Sequence, residues 1–294
     1  MNPINKIFAT KIAKYIFSGA ALVVLETGAA QAITITPTDS VGPLLSALTA
    51  GGSGINVTGV TLNGQSLPSG EVSTGTFTNA KTYNGIGSTA GGIVISTGDV
   101  ADYADGPNSI EFNSTDYGSS ANAAQQALLT PLSGGISNHF DVTQLDITFD
   151  MDAGKNRIFF DVVFGSDEYS EFVGSNFIDA LGLFVNGTNI AFANGQPINI
   201  NNPGFQAIAG TELDGIITNG GNPVLHFSQS VDSGSTGNTL TFIIGDASDS
   251  VYDSTAYIAN LGAESVPEPS SVLGLLAMAG MGSILKRKKS NSNQ

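Results

Sequence analysis

The chain of 294 residues has no cysteine and no tryptophan, and only 12% of its residues are charged. The missing cysteines exclude disulfide frameworks, thiolate-ligated zinc, iron–sulfur clusters and cysteine nucleophiles. A charged share about half the usual one excludes a coiled coil or a long exposed helical array. Positive charge is scarcest: 10 Lys and Arg stand against 25 Asp and Glu, a net −15. Nucleic acid is therefore not a partner, since binding it requires a basic patch. Disorder is excluded as well, because 41% of the residues are hydrophobic and they are well distributed.

The few cations are concentrated at the ends. Lys6, Lys11 and Lys14 precede an 11-residue apolar stretch, Tyr15 to Leu25, and Ala30-Gln31-Ala32 follows as a small-x-small cleavage site. This is the layout of a signal peptide over residues 1–32, forming a signal helix cut after Ala32 by signal peptidase. Eleven helical residues reach about 16 Å, roughly half a bilayer core, so a permanent anchor is disfavoured. At the other end come Pro267-Glu268-Pro269, an apolar stretch from Val272 to Leu285, and the run Lys286, Arg287, Lys288, Lys289. The apolar part reads as a short transmembrane helix, with the basic run as a cytoplasmic stop. This tripartite order over residues 266–289 resembles the PEP-CTERM sorting signal. The resemblance implies transient inner-membrane anchoring, recognition at Pro267, Glu268 and Pro269, and removal of the tail by an exosortase. Residues 290–294 read as a disordered tail.

Between the ends, residues 33–265 hold Lys81, Lys155 and Arg157 against 23 acidic residues, a net −20. Short β-type runs recur here with Gly, Asn, Asp or Ser between them. Leu145–Asp150 alternates apolar and polar residues, as a half-buried strand does. Arg157–Phe164 is apolar on both faces apart from Asp161 and reads as a central strand. Further strands are expected at 55–62, 92–97, 181–185, 188–192, 224–228, 239–244 and 255–260. Asn186-Gly187 between two apolar runs signals a hairpin. Helix is expected only at Pro43–Ala50 and Ser120–Leu129, and a loose segment around Gly98–Gly118. The fold class is all-β, a single jelly-roll-like β-sandwich ectodomain.

Two acidic segments follow the most apolar strands. The first carries Asp167, Glu168, Glu171 and Asp179 among Tyr169, Phe172 and Phe177; the second carries Asp246, Asp249 and Asp253. Crowded carboxylates without counter-ions repel, and oxygen donors of this kind suit Ca²⁺. The spacing fits no standard Ca²⁺ loop, and solvated turns with Asp capping backbone N–H groups fit the composition as well. The stretch FGSDEYSEFVGSNFIDALGLFVNG (164–187), with GGIVISTGDV (91–100), PININN (197–202) and FIIGDASDSVYDSTAYI (242–258), is similar to the choice-of-anchor L domain. Ile178 and Leu181-Gly182-Leu183 depart from its pattern. The resemblance implies an extracellular domain used with several anchoring systems, and no defined enzymatic activity.

Other chemistry has little support. His139 and His226 lie near no Gly-x-Ser-x-Gly turn, which leaves no serine-hydrolase signature. Asn84–Gly92 lacks the Lys of a phosphate loop. Asp99, Asp102 and Asp105 form either a second cation loop or a solvated turn. The reading is an exported surface or matrix protein with a structural or adhesive role, not an enzyme, with surface polysaccharide or a matrix component as partner. The alternative is a secreted glycan-binding or, less favoured, glycan-cleaving protein. Intact-mass measurement of the protein recovered outside the cell is expected to show loss of residues 1–32 and of Lys286–Lys289; finding either end retained there overturns the sorting assignment.

Overall fold

A strand that is apolar on both faces needs cover on both, and Arg157–Ser166 has it. In the computed structural model, which describes residues 33–267 apart from Ser88, Thr89, Asp105, Pro107 and Glu111, it lies near the middle of a large antiparallel sheet. The expected signal helix, C-terminal helix and basic run, with Glu268 and Pro269, lie outside the described residues. Among the described residues no helix is long and apolar enough to cross a membrane.

The strands are β1 (Thr34–Pro37), β2 (Ile55–Asn63), β3 (Thr74–Thr78), β4 (Gly92–Ser96), β5 (His139–Met151), β6 (Arg157–Ser166) and β7 (Ala180–Val185). After them come β8 (Thr188–Asn189), β9 (Phe192–Ala193), β10 (Gln196–Pro197), β11 (Phe205–Gln206), β12 (Gly215–Ile217), β13 (Leu225–Ser230), β14 (Asn238–Ala247) and β15 (Ser254–Glu264). One large sheet runs β1-β3-β4-β15-β6-β12-β11, with β13 also on β6; a second runs β2-β5-β14-β7-β8, and β9 and β10 form a separate two-stranded pair. Among the described residues the α-helices are α1 (Val41–Thr49) and α2 (Ala123–Leu129), close to the expected positions. The architecture is a two-sheet antiparallel sandwich.

Alternation decides which side chains fill the space between the sheets. Phe160, Val162 and Phe164 of β6 meet Leu145, Ile147 and Phe149 of β5 and Leu240, Phe242 and Ile244 of β14, all buried, with α1 closing one side through Leu44 and Leu48. The opposite face of the large sheet is covered too. Val163, Val94 and Tyr257 pack there with Phe77, Tyr83, Tyr103 and Ile216. On the outside of the smaller sheet, α2 brings Leu129 against Ala180 and Ile243.

Asn186 and Gly187 both have positive φ (47° and 77°), the backbone that a two-residue hairpin turn demands. The expected strand at 188–192 breaks off after Asn189, however. The Asn189 side-chain oxygen accepts hydrogen bonds from the N–H groups of Leu183 and Ala191, which turns the chain away from the ladder. Phe160 lies between Phe227 and Phe242, with ring centroids 6.0 and 5.1 Å away, and is fully buried. Phe160→Ala is expected to destabilise the fold by about 3–5 kcal/mol in urea unfolding, because the sandwich cannot collapse onto the space left.

A carboxylate-lined loop end as candidate functional site

Antiparallel pairing brings the two acidic segments together. Ser166, the end of β6, pairs with Ser254, the start of β15, and Gly245 of β14 pairs with Ala180, the start of β7. Asp246 sits opposite Phe140 of β5, beyond a bulge in the β14–β5 ladder. The residues just beyond these points, Asp167, Glu168, Asp179, Asp249 and Asp253, therefore share one end of the sandwich with Asp246 and Asp141. Six of them, Asp141, Asp167, Glu168, Asp179, Asp246 and Asp253, are at most 2% exposed. Asp249 is half-buried, and Glu171 is exposed on the turn outside the cluster.

These carboxylates fall into two groups by what their oxygens do. In the first, every oxygen has a donor. Asp167 accepts the N–H groups of Asn113 (2.8 Å) and Asp214 (3.3 Å). Asp141 accepts those of Tyr117 and Ser119, both at 3.0 Å. Asp179 accepts Ala247 N–H at 3.2 Å and the Ser254 hydroxyl at 2.8 Å, a clasp joining the two sheets. Asp253 is shared between the groups: one oxygen accepts Thr115 N–H at 2.9 Å. Residues 113, 115, 117 and 119 thus direct alternate N–H groups at three buried carboxylates. From residue 113 on, the segment expected to be loose is held in place, its alternate N–H groups on carboxylates and the Asn113 carbonyl accepting the N–H of Asp253. Asp99, at its start, caps the short helix Val100–Tyr103 by accepting Ala101 N–H, which is a turn role.

In the second group, oxygens are shut away from solvent with no hydrogen-bond partner: Glu168 Oε2, both oxygens of Asp246, Asp249 Oδ1 and the remaining Oδ1 of Asp253. Thr97 and Asp179 stand near enough to Asp246 to influence its titration, without a bond of ordinary geometry. Among the described residues no three acidic or imidazole side chains are already gathered at coordinating distance of one point. Among the described residues no basic side chain stands at this end to compensate the charge. Lys155 and Arg157 stand at the far end of β6, and Lys81 lies beyond the far end of β3. Backbone crowds the site as well: a Cβ on Gly98 would lie 1.6 Å from Asp253 Oδ2.

Asp141 and Gly98 were not distinguishable as site residues in the sequence. Asp141 follows His139 and Phe140 in a run that reads as ordinary strand, and only its φ of 46° turns the carboxylate to its task. The histidines are structural. His139 Nε2 meets the Ser133 hydroxyl at 2.8 Å and Nδ1 meets Gln126 Oε1 at 2.6 Å, a Ser–His–Gln row in which Ser133 and His139 are fully buried and Gln126 is half-buried. His226 pairs across the strands with Asp161 at 2.8 Å on the exposed face.

The sorting signal leaves from the opposite end. β15 runs from the carboxylates to Glu264, about 30 Å at the usual strand rise. Beyond it Val266 is held by Asn156, which accepts its N–H at 2.7 Å and donates to its carbonyl at 2.8 Å. A hollow of about 500 Å³ lies there, lined by Asn156, Ser230–Ser233 and Val266–Pro267, remote from the carboxylates.

The family model of the choice-of-anchor L domain matches residues 33–263, and that of the PEP-CTERM protein-sorting motif matches residues 265–289. Neither is a catalytic family. No curated protein matches the sequence. Two solved structures have partial likeness. One is a carbohydrate-binding module specific for non-crystalline cellulose, with 11% identity over 43% of this chain and 66% of that one, at a TM-score of 0.24. The other is the Agl-KA catalytic domain, with 15% identity over 55% and 29%, at 0.22. Likenesses this distant carry no argument.

Burial is the main reason that Asp167 is pushed up to about 7, against the opposing pull of its N–H donors. Burial raises Glu168, Asp179, Asp246 and Asp253 in the same direction, reinforced by the neighbouring carboxylates. A carboxyl raised above its unfolded value contributes stability that is full below about pH 4 and is lost as pH rises through the folded value. His139, pushed down to about 4 by burial, acts oppositely, and its contribution fades as pH falls below 6.5. Several carboxyls outweigh one imidazole. With a chelator present, the melting temperature is expected to rise as pH is lowered from 8 to 5, more gently below 6.5; a flat or falling profile would refute the shifted titration.

Proposed function

We propose that this chain, which belongs to the choice-of-anchor L domain family, is a structural and adhesive module of the cell surface or extracellular matrix whose acidic loop end is stabilised by Ca²⁺. Its PEP-CTERM motif supports export and exosortase-directed sorting to the surface. One observation carries the functional reading: buried carboxylate oxygens without partners are gathered at the end of the sandwich opposite the sorting tail. While the tail is in the membrane, that end points outward, toward whatever the module meets. A hard divalent ion fits donors that are all oxygen, and the exterior of a cell supplies it. The ion would hold the loops in one arrangement and, through open coordination positions, bridge to anionic surface polysaccharide.

A second reading, glycan recognition by the loops themselves, is favoured by a distinct feature. Phe112, Tyr252, Phe172 and Phe177 form a chain of rings with successive centroids 5.2, 5.2 and 5.4 Å apart. Among the described residues, four of the five exposed large hydrophobics, Ile110, Phe112, Val173 and Val251, belong to the same loops. Apolar surface of this kind marks contact sites, and ring faces stack on the C–H faces of sugars.

Calorimetry of the full chain with and without Ca²⁺ tests the primary reading. Ca²⁺ at 100 times its Kd is expected to add about 2.7 kcal/mol, raising the melting temperature by roughly 5–10 °C for a domain this size. Cosedimentation with anionic surface polysaccharide should appear with the ion and vanish with chelator. Melting that ignores chelator, with discrete glycan-array hits abolished by Tyr252→Ala, would replace it by the second reading.

A further inference from the structure

We infer that the cation is ligated by Glu168, Asp246, Asp249 and Asp253, the carboxylates with partnerless oxygens, while Asp141, Asp167 and Asp179 hold loops and do not ligate it. The inference rests on the Ca²⁺ reading above and adds a division of labour that the sequence does not contain. Acidic crowding alone would not carry it, since Asp141 and Asp167 are as buried as the rest and yet are complete without an ion. What distinguishes the ligands is the state of their oxygens. Asp246 is 0% exposed with both oxygens unpartnered, and Asp253, also 0% exposed, has one oxygen on Thr115 N–H and the other free. Glu168, 1% exposed, and Asp249 contribute one free oxygen each. Buried polar atoms in native proteins nearly always have partners, so five such oxygens at one end point to a common one.

Asp179 stands between the two halves of the set. Its charge acts on Glu168 on one side and on Asp246 and Asp253 on the other. With Ala247 N–H on one oxygen and the Ser254 hydroxyl on the other, its two oxygens are each partnered, and it supplies field to both halves. The ligands sit on different parts of the backbone: Glu168 on the turn after β6, Asp246 within β14, and Asp249 and Asp253 on the loop leading to β15. Closing them round an ion requires only that the 168 turn and the loop around Asp249 move inward, because Asp246 lies within β14 and Asp253 adjoins β15 and holds Thr115 N–H. Flexible carboxylates of this number favour Ca²⁺, which accepts six to eight oxygens in irregular arrangement, over Mg²⁺ with its strict octahedron.

The two groups predict opposite responses to loss of charge. Asp246→Asn removes an uncompensated buried charge together with a ligand. The metal-free variant is expected to melt at or above the parental temperature and to lose the Ca²⁺-induced shift. Asp167→Asn weakens a staple, so it should melt lower in both conditions and keep the shift. Glu168→Gln, on a turn, provides a second ligand variant should Asp246→Asn fail to fold, and it too should lose the shift. Scanning calorimetry and Ca²⁺ titration of the full-length variants decide the matter. A retained shift in both ligand variants, or its loss in a folded Asp167→Asn, overturns the ligand assignment while leaving the Ca²⁺ reading intact. A parental chain that neither binds Ca²⁺ nor shifts overturns both.

Discussion

Everything at the loop end depends on backbone N–H groups that have no strand to pair with. From Phe112 to α2 the chain crosses the mouth of the sandwich and joins a sheet only through the isolated Ser120–Phe140 bridge to β5. Its amides still need acceptors, since an unpaired buried N–H costs about as much as a lost hydrogen bond. Asn113, Thr115, Tyr117 and Ser119 find theirs in Asp167, Asp253 and Asp141. An ionised acceptor makes these bonds roughly twice as strong as neutral ones. It also carries charge into a region that burial makes hostile to it.

That conflict accounts for the form of the site. A carboxylate taken out of water is tolerated when donors surround it, and Asp141, Asp167 and Asp179 meet the condition through backbone N–H and hydroxyl groups. Each such charge then raises the cost of its neighbours. Asp246 feels Asp179 and Asp253, and Asp253 feels Asp179 and Asp167. The staples thus create the negative field in which the partnerless oxygens sit. On the Ca²⁺ reading proposed above, an ion bound there would offset the field of both groups at once, and its effect would reach the 113–119 segment without touching it.

The parts legible in the sequence are those set by local pattern. Leu145–Asp150 alternates because one face of β5 meets the core, and Arg157–Phe164 does not alternate because β6 is covered on both sides. Asn186-Gly187 specifies its turn by backbone conformation alone. The acidic residues after β6 and before β15 were conspicuous because they interrupt apolar runs. What could not be read is which strand ends meet. Asp141 lies more than 20 residues from Asp167 and over 100 from Asp246, and looks like any strand residue until register places it opposite the mouth. The segment 98–118 looked loose for the same reason: its Gly, Asp and Ser content predicts irregular backbone correctly, but the acceptors that hold it are on other strands. Glu171 shows the reverse, a carboxylate in the right sequence neighbourhood whose turn carries it out to solvent.

The distribution of cations gives the same constraint a further consequence. One arginine among Glu168, Asp246 and Asp253 would neutralise the cluster permanently, with planar donors well matched to carboxylates. The described chain has three basic residues and keeps all of them away from this end; Arg157 pairs instead with Glu264 beside the departing tail. An internal cation would make the loops equally rigid in every compartment. On the Ca²⁺ reading proposed above, leaving the charge open would tie the order of these loops to an exchangeable ion. β15 begins at the carboxylates and ends at Glu264, about 30 Å away at the usual strand rise, so such an ion would act on the end of the domain away from the C-terminal tail. On that reading the excess of acid over base bears on how the loop end is held, beyond any effect on solubility.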